Sequence, residues 1–94
     1  MANVAASKTS IRSRTSLPLE LREERRQAGR TQREVAEEMD WSESKIYRIE
    51  KGRVSISTTD LRALLSYYRV TDEDRVSYLI RMKREGRGAT SSDS

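Results

Sequence analysis

Thr31 with Glu34, and Ser42 shortly after them, mark two helix starts so close together that the chain between them has almost no freedom. A Ser or Thr that accepts from the third helical residue, with Glu at that position reaching back, is a strong N-terminal signature. Thr31 and Glu34 therefore predict a helix running to Met39. Ser42 predicts another over residues 43 to 51, ended by Gly52. Only about three residues join them, which leaves room for a tight turn alone and forces a steep crossing. Ala36 is small enough for a close approach, and Val35, Met39, Trp41, Ile46 and Ile49 fall into one buried cluster. Outward on the second helix remain Glu43, Ser44, Lys45, Tyr47, Arg48 and Lys51, side chains long and polar enough to reach base edges and phosphates.

The remaining chain continues the pattern, so that the reading is all-α with five helices. The first runs from near Pro18 to Ala28, turns Leu17, Leu21 and Ala28 inward, and is closed by Gly29. After a loop over 53 to 56, Ser57 with Asp60 starts a fourth helix, whose Leu61, Leu64, Leu65 and Tyr68 form the strongest core stripe. Thr71 with Asp74 caps a fifth, reaching about Arg84, with Val76, Leu79 and Ile80 on one side. Residues 17 to 85 thus read as one domain. Residues 1 to 16, which hold Lys8, Arg12 and Arg14 and no acid, read as a flexible basic arm, and 86 to 94 as a flexible tail.

Composition narrows the chemistry. The 94 residues include no Cys and no His, which removes Cys–His and Ser–His–Asp catalysis, thiolate metal sites and disulfides. No enzyme, no metal and no cofactor are expected. The longest apolar run falls far short of the roughly 20 residues that span a bilayer, so no membrane partner is expected. The net charge of +4 suits a polyanion, and its distribution is more informative than its size. Residues 1 to 30 carry 7 Lys and Arg against 3 acids, residues 31 to 52 carry 4 against 6, and residues 53 to 94 carry 8 against 6. An acidic reading element has basic flanks.

The stretch TQREVAEEMDWSESKIYRIEKG, Thr31 to Gly52, resembles the lambda-repressor-like helix-turn-helix regulators, also called the Xre family. The likeness extends more loosely to LREERRQAG before it and DLRALLSYYRVTDEDRVSYL after it, covering about 17 to 85. The latter part resembles the N-terminal module of actinobacterial regulators that carry a further C-terminal sensing or partner domain, which implies that this chain is a fragment. Two departures stand out. Asp40 occupies the turn where the family usually has Gly, and Glu24 and Arg30 stand where it usually carries Leu, which implies a first helix held less firmly.

By this resemblance the chain is a cytoplasmic, nucleoid-associated bacterial transcription regulator that binds double-stranded DNA with its second motif helix in the major groove. Glu43, Ser44, Tyr47 and Arg48 take the family's base-reading positions, with Gln32, Lys45, Lys51 and Arg53 as phosphate contacts. Arg25 and Glu50 take the positions of a structural ion pair. Trp41 reads as core and Glu37 with Glu38 as a solvated face, since adjacent helical positions point apart. Two half-sites need two copies, so a homodimer through the fourth and fifth helices is expected, with Tyr78, Leu79, Ile80 and Met82 as apolar surface. The alternative is a protein-interaction module, such as an antitoxin or a regulator arm that holds a partner protein. Salt-resistant specific DNA binding separates the two.

Overall fold

The computed structural model describes the backbone of residues 16–93 and the side chains through Glu85, so the arm expected over 1–16 lies outside it except for Ser16. Among the described residues there are five helices and no strand: α1 (Leu17–Gln27), α2 (Gln32–Met39), α3 (Glu43–Glu50), α4 (Thr58–Tyr67) and α5 (Glu73–Asp93). No helix among them is long and apolar enough to cross a membrane.

Side-chain caps set the starts. Thr31 Oγ1 accepts from the Glu34 backbone N–H at 3.0 Å, and Glu34 Oε1 accepts from the Thr31 N–H at 3.0 Å, a complete reciprocal box. Ser42 Oγ accepts from the Lys45 N–H at 3.1 Å and Ser57 Oγ from the Asp60 N–H at 3.0 Å. At Ser42 the third helical residue is a lysine, so only half of the box exists. The cap of α5 is Asp72 and not Thr71: its Oδ1 accepts from the Asp74 N–H at 3.0 Å, while its carbonyl accepts from the Val76 N–H at 3.0 Å. A carboxylate satisfies the free N–H and also complements the positive end of the helix dipole, an advantage the Thr71 hydroxyl lacks.

The ends follow from backbone sterics. Asp40 closes α2 in the left-handed region (φ 61°, ψ 42°), with the next N–H, that of Trp41, donating to the Ala36 carbonyl at 2.8 Å. Asp tolerates this conformation where most residues do not, so the turn survives without glycine. α5 runs past Arg84, where the sequence placed its end, to Asp93. Gly86 and Gly88 each lower helix propensity by about 1 kcal/mol, yet keep the N–H that a proline would remove. The expected tail over 86–94 therefore begins inside α5, and its side chains lie outside the described residues.

All five helices contribute to one core of Leu21, Val35, Ala36, Ile46, Ile49, Leu61, Leu64, Leu65, Tyr68, Leu79 and Ile80, together with Ile56. Ile56, assigned to a loop by the sequence, is buried in the same core just ahead of α4. Of the four residues expected to meet a second copy, Leu79 and Ile80 are buried within the chain, while Tyr78 and Met82 are half-buried. Trp41 packs against this core, half-buried.

α1 lacks leucine at Glu24, and charge fills the role. Arg75 of α5 forks across it, Nε to Glu24 Oε2 at 2.8 Å and Nη2 to Glu20 Oε1 at 2.6 Å. Glu20 is buried and Glu24 half-buried, where a fork-shaped pair is shielded and stronger than on an open surface. Arg30, the other departure, lays its guanidinium over the Tyr67 ring at 5.0 Å, a cation–π contact. The first helix is thus held by ionic contacts in place of the missing apolar ones.

Gly52 has φ 74°, and a Cβ there would sit 3.4 Å from Pro18 Cγ. Gly52→Ala should destabilise the fold by about 1–2 kcal/mol through the left-handed strain alone, read as a lower urea midpoint at unchanged slope.

Candidate nucleic-acid interface

The angle between α2 and α3 is fixed from behind. Ile46 and Ile49 bury completely or nearly so, and Val35 and Ala36 of α2 pack into the same cluster. Because helical neighbours recur every three or four residues, this register turns Glu43, Ser44, Tyr47, Arg48 and Lys51 outward, and each is exposed. Tyr47 is 43% exposed, a large ring left in solvent on a helix whose other face is sealed.

Glu50 shares the buried side. Its carboxylate is only 3% exposed and collects donors from two other elements. Arg25 Nε of α1 donates to Oε2 at 2.7 Å and Arg25 Nη2 to Oε1 at 3.1 Å. Gln32 Nε2, at the start of α2, donates to Oε1 at 2.9 Å. Arg25 Nη1 adds a bond to the Arg30 carbonyl at 2.9 Å, closing the turn between α1 and α2. Its hydrogen bond to Glu50 raises the guanidinium pKa further above its ordinary value, against the burial that would lower it.

The side chains expected from the sequence therefore divide. Arg25 and Glu50 meet as a bidentate pair, and Gln32 joins them. One Gln32 N–H is committed to Glu50, which leaves the second amide hydrogen for a phosphate. Lys45 is half-buried with Nζ over the Trp41 ring at 4.6 Å, and Lys51 Nζ lies 5.5 Å from the Tyr47 ring centre. Each is worth only about 0.5–1 kcal/mol when exposed, so either cation is free to exchange its ring for a phosphate. Arg48 and Arg53 are exposed, in the last turn of α3 and beyond its end. Glu37 and Glu38 are both exposed, Glu37 pairing loosely with Arg33 at 3.6 Å, and no acidic or other group among the described residues could hold a metal ion.

Sequence reasoning placed Tyr68 in the core stripe of α4 but missed the contact of Arg30 with Tyr67. The Tyr67 and Tyr68 rings lie 5.9 Å apart at the end of α4, and Arg30 covers the first of them. The repeated tyrosine was visible, but its neighbour across the fold was not.

Removing one partner from a buried pair leaves an unpaired charge. Arg25→Met should cost about 3 kcal/mol or more of stability, while Arg25→Met with Glu50→Met should cost less than that single change. Chemical denaturation of the three variants measures both, and additive losses would show that the two residues do not interact.

Searches among curated proteins and among solved structures return no match. A family model described as a helix-turn-helix domain matches residues 17–77, spanning α1 through α4 and the first turn of α5. With more than half of its length matched, and with α2 and α3 crossing through a three-residue turn, the chain belongs to the helix-turn-helix domain family.

Proposed function

We propose that the chain binds double-stranded DNA at specific sequences and regulates transcription, inserting α3 into the major groove. The observation that carries this reading is the division of α3. Its inner face is locked by Ile46, Ile49 and Glu50, and its outer face presents Glu43, Ser44, Tyr47 and Arg48 together. A rigid helix with long hydrogen-bonding side chains on one face is what the major groove admits and what its donor and acceptor pattern rewards.

Arg48 reads guanine, since Arg alone on that face offers two parallel N–H donors to O6 and N7. Ser44 lies one turn before it and Tyr47 beside it, both within reach of adjoining bases. Glu43 accepts from cytosine and disfavours a phosphate brought too near. Gln32, Lys45, Lys51 and Arg53 flank this row and hold the backbone. Lys8, Arg12 and Arg14 add affinity through counterion release, which requires charge and no fixed shape. The protein acts in the bacterial cytoplasm without chemistry of its own, and as two copies on paired half-sites about one helical turn apart.

Selection of bound fragments from a genomic library tests the reading. A recurrent, paired site whose binding persists at salt concentrations that erase the nonspecific background supports it; only weak, salt-erased binding sinks it and favours a protein-interaction module. Within the selected site Arg48→Ala should relax preference at a single position by about 1–3 kcal/mol, whereas Lys51→Ala should weaken all sequences alike and lower the salt slope by about one. The same selected site for Arg48→Ala as for the parent would remove Arg48 from base reading.

A further inference from the structure

Arg30 is the one residue between Gly29 and Thr31, the cap of α2, and its backbone is committed to Arg25 at both ends. The Arg30 N–H donates to the Arg25 carbonyl at 3.1 Å, and the Arg30 carbonyl accepts from Arg25 Nη1 at 2.9 Å. This reciprocal clasp holds the Arg25 guanidinium by Nη1 while Nε and Nη2 fork to Glu50. The clasp lies in a weakly packed place. Gly29 beside it has φ 72° with nothing within 4 Å of where a Cβ would stand, so the backbone there has no side-chain packing to stiffen it.

The Arg30 side chain supplies what the turn lacks. Its guanidinium lies over the Tyr67 ring at 5.0 Å, and it makes no ion pair among the described residues. The Tyr67 ring is tilted against that of Tyr68 at 5.9 Å, and Tyr68 is only 4% exposed. A ring backed by the core is a fixed platform, whereas a ring free in solvent would move with the cation. Contacts therefore run without a gap from Tyr67 of α4 to Arg30, from Arg30 to Arg25, and from Arg25 to Glu50 of α3.

We propose that Tyr67 is a positioning residue for α3: its ring fixes Arg30, the Arg30 carbonyl fixes the Arg25 guanidinium, and Arg25 fixes Glu50. α4 thereby helps to orient α3 through two arginines, in addition to the apolar core that the helices share. The contact sets a ceiling on the effect, because a linkage transmits no more free energy than the interaction that drives it. For a cation–π contact that ceiling is about two- to fivefold in an equilibrium constant. The consequence for DNA rests on the reading of α3 given above, but the linkage to Arg25 does not.

Two variants of the full chain test it together. Tyr67→Leu keeps an apolar side chain and removes the π face, while Tyr67→Phe keeps the face. In Tyr67→Leu the Arg25 Nε–H should exchange faster with solvent, and affinity for the selected DNA site should fall about two- to fivefold with nonspecific binding unchanged. Tyr67→Phe should hold both at the parent values. A ring that serves packing alone would lower the melting temperature in Tyr67→Leu and leave Arg25 exchange and site selectivity in place. That result overturns the proposal, and so do equal losses in the two variants. Arg30→Met breaks the same contact from the other side and decides the matter should Tyr67→Leu misfold: faster Arg25 Nε–H exchange supports the linkage, and unchanged exchange ends it. If the parent selects no DNA site, the transcriptional reading fails while Arg25 exchange still decides the linkage.

Discussion

A carboxylate 3% exposed to solvent cannot be left alone, and the Glu50 carboxylate stands where three helices meet. Its charge is tolerated because Arg25 and Gln32 supply three donors from α1 and α2, each at or below 3.1 Å. The attraction and the desolvation penalty are both large and nearly offset each other, so the net stabilisation is small while the penalty for misplacement is high. The apolar contacts of Ile46 and Ile49 hold α3 in the core, but such contacts tolerate small rotations and slides. A forked, bidentate pair does not. The orientation of the exposed row Glu43, Ser44, Tyr47 and Arg48 therefore depends on a group that itself faces the interior.

α1 distributes these constraints. Adjacent helical residues point in different directions, and Glu24 and Arg25 use this to reach different neighbours. Arg25 grips the end of α3, whereas Glu24, with Glu20 one turn earlier, receives Arg75 from α5. Where a leucine would have packed α1 by area alone, this chain ties it by charge. Both links are partly shielded from solvent, which makes them less responsive to salt than exposed pairs such as Arg33 with Glu37. Raising salt should consequently weaken contacts on the outer face of α3 long before it loosens the helices.

The outer face has different physics. Lys45 and Lys51 rest on aromatic rings through contacts weak enough to be surrendered, while Arg48 has no ion pair or ring contact among the described residues. Leaving a guanidinium exposed and unpaired keeps its five N–H donors available at little cost. The same helix thus combines a committed charge on one side with an uncommitted one on the other, two residues apart in sequence.

Local chemistry was legible in the sequence because it is written in adjacent residues. Thr31 with Glu34, Ser42, and Ser57 with Asp60 announce their helices through bonds that span three residues, and the spacing of Ile46 with Ile49 and of Leu61, Leu64 and Leu65 shows which faces turn inward. The outward row on α3 follows from that spacing alone. The sequence pointed to Thr71 as the cap of α5, and backbone geometry placed Asp72 there instead. Tertiary structure decided the rest: that Arg75 crosses 51 residues to Glu24, that Ile56 belongs to the core, and that Leu79 and Ile80 are used internally. No periodicity within one helix encodes which distant side chain meets it, because such contacts depend on how all five helices share a single small core.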